Sequence, residues 1–128
     1  MRLLLDSHTL YWWLRHKTRL SQRASSVIES EDNEVFVSIA TAWEMAIKAG
    51  SGKWPEAKPL LDEFELEMEL SDFILLPIKI QLVHLAGLMQ SPHRDPFDRL
   101  LAAQAAIEGL TLVSSDAKMA GLGAVVLW

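Results

Sequence analysis

The sequence predicts an α/β fold with a mostly parallel five-stranded sheet that is flanked by helices. Three observations support this prediction. Short apolar runs recur along the chain, segments with helical periodicity separate them, and the runs lack polar alternation, which is typical of strands buried on both faces. Strands that alternate with helices form parallel sheets, whose ligand sites lie beyond the carboxyl ends of the strands.

Five apolar runs are predicted to be buried strands. Each contains no charged residue and is rich in leucine, isoleucine or valine. The runs lie at residues 3–5, 35–37, 73–76, 110–113 and 125–127. Because they have no polar face, all five are expected to be covered on both sides.

Capping residues predict where several helices begin and end. The first helix is expected to open at Leu10. Ser21 is expected to cap a second helix that ends near Glu29. Ser38 has the same role for a third, which is expected to close at Gly50.

Three more helices are predicted in the second half of the chain. Residues 59–70 carry apolar side chains among their acids and are predicted to form one amphipathic helix, and residues 82–89 suggest another. Asp95, followed by proline, is a strong helix start. That helix is expected to run to about Glu108 and to stop at Gly109.

Length and composition predict a single domain over residues 1–128. Half of the 128 residues are hydrophobic, which is typical of a globular protein. The chain has no cysteine, and this excludes disulfides, iron–sulfur clusters and thiolate zinc sites. No signal peptide or membrane-spanning stretch is recognisable, so we expect a soluble, cytoplasmic protein.

The charge distribution permits a nucleic-acid partner without predicting one. The net charge is −5, but six acids fall between residues 62 and 72, so the rest of the chain sums to +1. A basic cluster follows the first apolar segment and consists of Arg15, Lys17, Arg19 and Arg23. For both clusters a solvated helix face is the preferred interpretation.

Four carboxylates stand at positions where polar residues are informative. Asp6 directly follows the first predicted strand and Asp116 follows the fourth, so parallel strands would place both at one sheet edge. Glu44 lies within an apolar helical stretch, where a charge needs a partner or a metal. Asp98 lies one turn into a helix whose following residues are apolar.

Convergence of these carboxylates would require a cation. Two like charges about 4 Å apart repel by roughly 4 kcal/mol at an intermediate effective dielectric. An all-oxygen site without cysteine suits a hard ion such as Mg²⁺ or Mn²⁺. Such an ion polarises a phosphodiester and lowers the pKa of bound water, which is the outline of a hydrolytic nuclease site.

Each acid also has a purely structural alternative. Glu44 could pair with Lys48 one helical turn away. Capping of a helix or turn, or interaction with a helix dipole, is the alternative for Asp6, Asp95, Asp98 and Asp116. For Asp95 capping is the preferred interpretation.

Other motifs give weaker indications. The four histidines lack metal-binding spacing, and no GxGxxG, Walker or GxSxG motif is present. The tryptophans could stack on nucleobases, although core or dimer packing is the better expectation for most of them: Trp12, Trp13, Trp43, Trp54 and Trp128.

Four segments resemble the motifs of a known family. Residues 4–14, 38–48, 95–105 and 110–116 resemble, in the same order, the motifs of VapC-type toxins of the PIN-domain family. The third segment, with its Asp-Pro-Phe-Asp-Arg run, is the most specific. Together the motifs span nearly the whole chain.

The resemblance implies a PIN-like fold and an Mg²⁺- or Mn²⁺-dependent endoribonuclease. Cleavage would leave a 5′-phosphate and a 3′-hydroxyl. Family members of this kind are usually toxins that a small antitoxin holds inactive, and they commonly form homodimers. By motif position, the resemblance implies that the metal-binding and catalytic acids are Asp6, Glu44, Asp98 and Asp116.

Three neighbouring residues receive secondary roles. The family often has threonine where Ser114 stands, and serine keeps the hydroxyl that could order a water molecule. Arg99 and His93 could contact RNA phosphate or the antitoxin. A surface salt bridge or a solvated side chain is the structural alternative for both.

Two other functions remain as alternatives. One is a non-catalytic PIN-like module that binds RNA or protein, which a missing acid would favour. The other is a phosphotransfer enzyme with Asp6 as nucleophile, but such phosphatases need an acid two residues later, where His8 stands.

Overall fold

Five parallel strands form the centre of the structure, a computed structural model that describes residues 1–128. The strands are β1 (Arg2–Leu5), β2 (Glu34–Ser38), β3 (Ile74–Leu76), β4 (Thr111–Val113) and β5 (Val125–Leu127). Their order in the sheet is β3-β2-β1-β4-β5. The predicted α/β fold with a five-stranded parallel sheet is therefore confirmed.

The predicted burial of the strands is confirmed for the centre of the sheet but is wrong for its edges. Leu3, Leu4 and Leu5 of β1 are fully buried between β2 and β4. In the edge strands, Ile74 is 42% exposed and Val125 is 69% exposed. The apolar runs look alike in sequence, but an edge strand has one neighbour and less helical cover.

Seven α-helices flank the sheet. They are α1 (Ser7–Arg15), α2 (Gln22–Glu29), α3 (Ile39–Gly50), α4 (Lys58–Asp62), α5 (Phe64–Leu70), α6 (Ile80–Leu88) and α7 (Pro96–Glu108). Three short 3-10 helices lie at Lys17–Arg19, Pro55–Ala57 and Ala117–Leu122. No helix is both long and apolar enough to span a bilayer.

The predicted caps of α2 and α7 are confirmed. The hydroxyl of Ser21 accepts a hydrogen bond from the backbone N–H of Ala24 at 3.0 Å. Asp95 Oδ1 accepts from the backbone N–H groups of Phe97 (2.9 Å) and Asp98 (3.1 Å). Gly109 adopts the left-handed φ of +67° that ends α7, a conformation that favours glycine.

Several helix boundaries differ from the prediction. α6 spans Ile80–Leu88 instead of residues 82–89. α1 opens three residues before Leu10, because Asp6 caps it. α3 includes Gly50 and ends with Ser51 as its C-cap. Residues 59–70 form α4 and α5 rather than one helix, with a break at Glu63, where φ is −115° and ψ is 26°.

One apolar face continues across the break between α4 and α5. Leu60, Phe64 and Met68 all belong to one core cluster. Positions four apart on an α-helix rotate by about 40° per step, so these three side chains fall on one face, as the amphipathic pattern predicts. All three are buried although the helix is interrupted at Glu63, and nothing in the structure explains the interruption.

Two hydrophobic layers lie on opposite faces of the sheet. Leu3 and Leu5 point into a cluster that includes residues of α1, α2, α4 and α5. Leu4 points the other way, into a cluster with Phe36, Leu112 and residues of α7. The alternation along β1 follows the pleat of a strand, and it leaves the carboxyl end of β1 at the centre of the sheet edge.

Candidate active site

The carboxyl ends of β1 and β4 meet at the middle of one sheet edge. Parallel pairing aligns Leu5 with Val113, and the backbone N–H of Asp6 donates to the carbonyl of Val113 at 3.2 Å. The hydroxyl of Thr9 donates to the same carbonyl at 3.0 Å. The start of α1 is therefore tied to the end of β4, and Asp6 and the Ser114–Asp116 segment share this edge as predicted.

Asp6 caps α1 from this edge. Its Oδ1 accepts a hydrogen bond from the backbone N–H of Thr9 at 2.8 Å, while the side chain remains partly exposed. The structural alternative foreseen for Asp6 is thus present. Capping occupies Oδ1 and leaves the hydrogen-bonding capacity of the second carboxylate oxygen for another ligand.

Glu44 is a buried carboxylate with two protein partners. It is 5% exposed and lies within α3. Ser7 donates its hydroxyl hydrogen to Oε1, and Lys48 Nζ lies 2.6 Å from Oε2. The expected pairing with Lys48 is therefore present. Ser7 directly follows Asp6, so its bond to Glu44 places α3 beside the end of β1.

Lys48 experiences the combined field of several acids. Burial by itself would lower the pKa of Lys48, but the hydrogen bond and charge of Glu44 raise it above its usual 10.5. The charges of Asp95 and Asp98 raise the pKa of Lys48 further. Acids from α3 and from the start of α7 thus act on one cation, which indicates a shared negative region.

Asp98 faces the same region from α7. Burial raises the pKa of Asp98 above its usual 3.8, and the charges of Asp95 and Glu44 raise it further. His93 opposes these effects, since its Nε2 lies 2.8 Å from Asp98 Oδ2. The ionised form of Asp98 is therefore less favourable in the folded protein than in water, and an additional cation would stabilise it.

Asp116 and Ser114 shape the turn after β4. Ser114 is buried, and its hydroxyl accepts a hydrogen bond from the backbone N–H of Asp116 at 3.1 Å. Asp116 Oδ1 in turn accepts from the backbone N–H of Lys118 at 3.0 Å and caps the following 3-10 helix. The hydroxyl of Ser114 thus orients the backbone that carries Asp116.

Arg99 is a scaffold residue, and neither structural alternative considered for it is correct. Its guanidinium donates to the carbonyls of Met89 at 2.6 Å and His93 at 2.9 Å, with longer bonds to those of Ala86 and Ser91. These bonds secure the segment that joins α6 to α7. They also position His93, the partner of Asp98.

The donor chemistry of the four acids fits a hard divalent cation. All four contribute anionic oxygen, the type of ligand that Mg²⁺ and Mn²⁺ prefer. In the structure the carboxylates instead bind protein donors, and no three acidic or histidine side chains are close enough together to hold a metal. Ion binding would therefore require some of these side chains to turn from their present partners.

Two features of the site were not predicted from the sequence. Ser7 and Thr9 are buried hydroxyl residues that join α1 to Glu44 and to β4. Small polar residues directly after a buried strand were the available signal. Trp43 is the second feature: it is 55% exposed and meets Phe97 edge-on at 5.4 Å, whereas the other tryptophans pack against the core as expected.

Replacing Ser7 by alanine should destabilise the fold. The change leaves Oε1 of buried Glu44 without its donor, and the expected loss in the free energy of unfolding is about 1–2 kcal/mol. Urea denaturation measures this loss, with Ser26→Ala on the exposed face of α2 as the control. Equal stabilities of the two variants would contradict the role given to Ser7.

The pH dependence of stability should reveal the unfavourable ionisation of Asp98 in the folded protein. Because folding raises the pKa of Asp98, the protonated form favours folding and the contribution of this group is lost as pH rises through the folded pKa. Asp98→Asn should therefore be more stable than the parent at pH 7, with the gain shrinking towards pH 3. Thermal denaturation across this range measures the difference, and a gain independent of pH would contradict the assignment.

The comparison with known proteins identifies the family. Residues 3–124 match the PIN domain, and the chain belongs to the PIN-domain family. It is 33% identical over 117 residues to Ribonuclease VapC22 of Mycobacterium tuberculosis, a match that covers 91% of this chain and 88% of the relative. The resemblance noted in the four sequence motifs is thereby confirmed. PIN ribonucleases generally depend on a divalent metal.

Solved structures share the fold at lower identity. VapBC2 from Rickettsia felis, bound to a DNA fragment from its promoter, superposes with a TM-score of 0.71 and 15% identity, covering 99% of this chain and 98% of that one. A toxin–antitoxin complex from Klebsiella pneumoniae gives a TM-score of 0.65 and 19% identity, covering 98% and 96%.

Proposed function

We propose that this chain is a divalent-metal-dependent endoribonuclease and the toxin of a toxin–antitoxin pair. Two observations carry the proposal. Asp6 and Asp116 follow the paired strands β1 and β4, and Ser7 ties Glu44 to the start of α1 at the same edge. The chain is also 33% identical to a ribonuclease. The negative field that acts on Lys48 supports a cation at this edge. The non-catalytic binding module has no comparable observation in its favour.

In the proposed site, the carboxylates of Asp6, Glu44, Asp98 and Asp116 would hold Mg²⁺ or Mn²⁺. When bound, such an ion would polarise the phosphodiester and lower the pKa of a water molecule. The expected products of the proposed hydrolysis carry a 5′-phosphate and a 3′-hydroxyl.

The surrounding residues orient the acids and balance their charge. Ser7 holds Oε1 of Glu44, so this buried carboxylate keeps one rotamer. Lys48 balances the charge of Glu44 and remains 29% exposed, which leaves its ammonium available to an RNA phosphate. His93 holds Asp98 through Oδ2, and the buried hydroxyl of Ser114 orients the backbone of Asp116.

The proposed partners are a cognate antitoxin protein and a second copy of this chain. Toxin–antitoxin complexes among the structural neighbours support the first. Exposed apolar side chains support a protein interface, since Ile80 and Leu88 of α6 are more than 70% exposed. Light scattering of the purified chain would measure the homodimer directly.

Cleavage of total cellular RNA tests the proposed activity. The purified chain, free of any partner, is incubated in Mg²⁺ or Mn²⁺, with EDTA as the control. We expect fragments with 5′-phosphate ends in metal and none in EDTA. Cleavage that persists in EDTA would contradict metal dependence, and binding of RNA without cleavage by folded protein would favour the non-catalytic module.

A further inference from the structure

An open pocket of about 560 Å³ lies between α1, the 3-10 helix Lys17–Arg19 and the segment that follows α3. Five aromatic rings line it: His8, Tyr11, Trp12, His16 and Trp54. Arg19 and Glu56 are among its charged members. The four acids of the proposed metal site do not line this pocket, and the proposed mechanism gives it no role.

The aromatic walls are pre-arranged for stacking. The imidazole of His8 lies parallel to the indole of Trp54, with centroids 4.8 Å apart and planes at 12°. Tyr11 supports the same indole edge-on at 5.2 Å. Trp12 and Trp54 pack against the core, whereas His8 is exposed. A flat nitrogen heterocycle therefore already stacks on Trp54, and the exposed position of His8 leaves part of its ring accessible to another.

The pocket also offers a cation without an acidic partner. The guanidinium of Arg19 lies 4.9 Å from the centroid of the Trp12 ring, and no carboxylate forms a salt bridge with it. Such an arginine suits a phosphate group. Glu56 supplies an acceptor for the amino group of a base.

Short segments of the chain link the pocket to the sheet edge where Asp6 follows β1. His8 lies two residues after Asp6, and Trp12 follows one turn later on α1, so the rings begin within about 9 Å of Asp6 along the helix axis. On the other wall, the backbone N–H of Trp54 donates to the carbonyl of Lys48 at 2.9 Å. Lys48 is the partner of Glu44. A single RNA chain could therefore reach both this pocket and the carboxylates of Asp6 and Glu44.

We propose that this pocket binds a nucleotide of single-stranded RNA, with the base stacked on His8 and the phosphate on Arg19. The proposal rests on the proposed ribonuclease function and names how its substrate is held. Base stacking on aromatic side chains is tolerant of sequence, so the pocket would contribute affinity at any base. A protein segment is the less favoured occupant, because the walls present ring faces and an unpaired guanidinium instead of an apolar groove.

RNA binding without turnover tests the pocket. The parent carries Asp98→Asn and is kept in EDTA, and anisotropy reports binding of a fluorescein-labelled random-sequence 12-nucleotide RNA. We expect Trp54→Leu and His8→Leu each to weaken binding about tenfold. Trp54→Phe should restore most of the affinity, because it keeps an aromatic face. The exposed position of His8 makes its variant safe for folding even if Trp54→Leu is not.

Arg19 gives an independent electrostatic readout. Arg19→Ala should reduce the slope of log affinity against log salt by about 0.7, the value for one phosphate contact on a single strand. Lys17→Ala removes an equal charge from a neighbouring residue that lies over Trp13 outside the pocket, and should change the slope less.

Unchanged affinity in folded His8→Leu and Trp54→Leu would overturn the proposal, as would variants that lose self-association or antitoxin binding while retaining RNA. Failure of the proposed ribonuclease activity would give a different result. If the chain with Asp98 intact binds RNA through this pocket but does not cut it in Mg²⁺ or Mn²⁺, the activity is contradicted and the RNA-binding pocket is retained. If none of the pocket substitutions changes the rate of cleavage, the pocket is contradicted and the activity is retained.

Discussion

Asp98→Asn should lower the rate of RNA cleavage by more than about a hundredfold, since even the outer partners of metal ligands contribute about ten- to a hundredfold. The substitution keeps the size of the side chain and an oxygen that can accept from His93. It removes the negative charge that the proposed metal site needs. Initial rates on total RNA in Mg²⁺ measure the effect.

Asp95→Asn is the matched control for this variant. It removes the same charge three residues earlier, from a carboxylate that caps α7. Asparagine caps helices about as well as aspartate, so the fold should be kept. We expect this control to retain most of the activity. Equal losses in both variants would indicate that net charge near α7, not the position of Asp98, controls cleavage.

Arg99→Ala should produce the largest loss of stability, about 2–4 kcal/mol in the free energy of unfolding. The variant leaves four backbone carbonyls without a charged donor, including those of Met89 and His93. Because these bonds secure the segment before α7, cleavage should also fall as His93 and Asp98 lose their alignment. Urea denaturation and cleavage rates measure the two effects.

The controls for Arg99 separate geometry from charge. Arg94→Ala removes a charge from an exposed residue of the same segment and should leave stability nearly unchanged. Arg99→Lys keeps the charge, but an ammonium cannot reproduce the planar fork of donors, so it should restore only part of the loss. Full recovery of stability in Arg99→Lys would contradict the role given to the guanidinium in binding these backbone carbonyls.

Local signals in the sequence predicted the parts of the fold that depend on local chemistry. Ser21 and Asp95 cap helices because their side-chain oxygens meet N–H groups two or three residues later. Gly109 ends α7 because the backbone there requires a positive φ. The order of apolar runs and helices was sufficient for the parallel sheet, since few other topologies join such elements.

Two features of the fold were not predicted from the sequence. The break at Glu63 has no local signal, since residues 59–70 have the pattern of one amphipathic helix. The exposure of Ile74 and Val125 depends on which strands became edges. Neither property is encoded in a single window of residues.

The same distinction applies to the site. The acids could be proposed from strand ends and from a charge within an apolar helix, and their metal-binding roles remain a proposal. The partners could not be predicted, because Ser7 and Glu44 lie 37 residues apart. The hydrogen bonds from Arg99 to backbone carbonyls depend on the path of the backbone between α6 and α7, which the spacing of residues in the sequence does not reveal.

Direct titration with Mn²⁺ tests whether Asp6, Glu44, Asp98 and Asp116 hold a divalent cation. Calorimetry on the purified chain, without RNA, measures binding independently of cleavage. We predict saturable Mn²⁺ binding that EDTA reverses and that Asp6→Asn and Asp98→Asn each weaken strongly, whereas Asp95→Asn does not. Binding of equal strength in all four proteins, or none in the folded parent, would show that these acids do not form the proposed metal site.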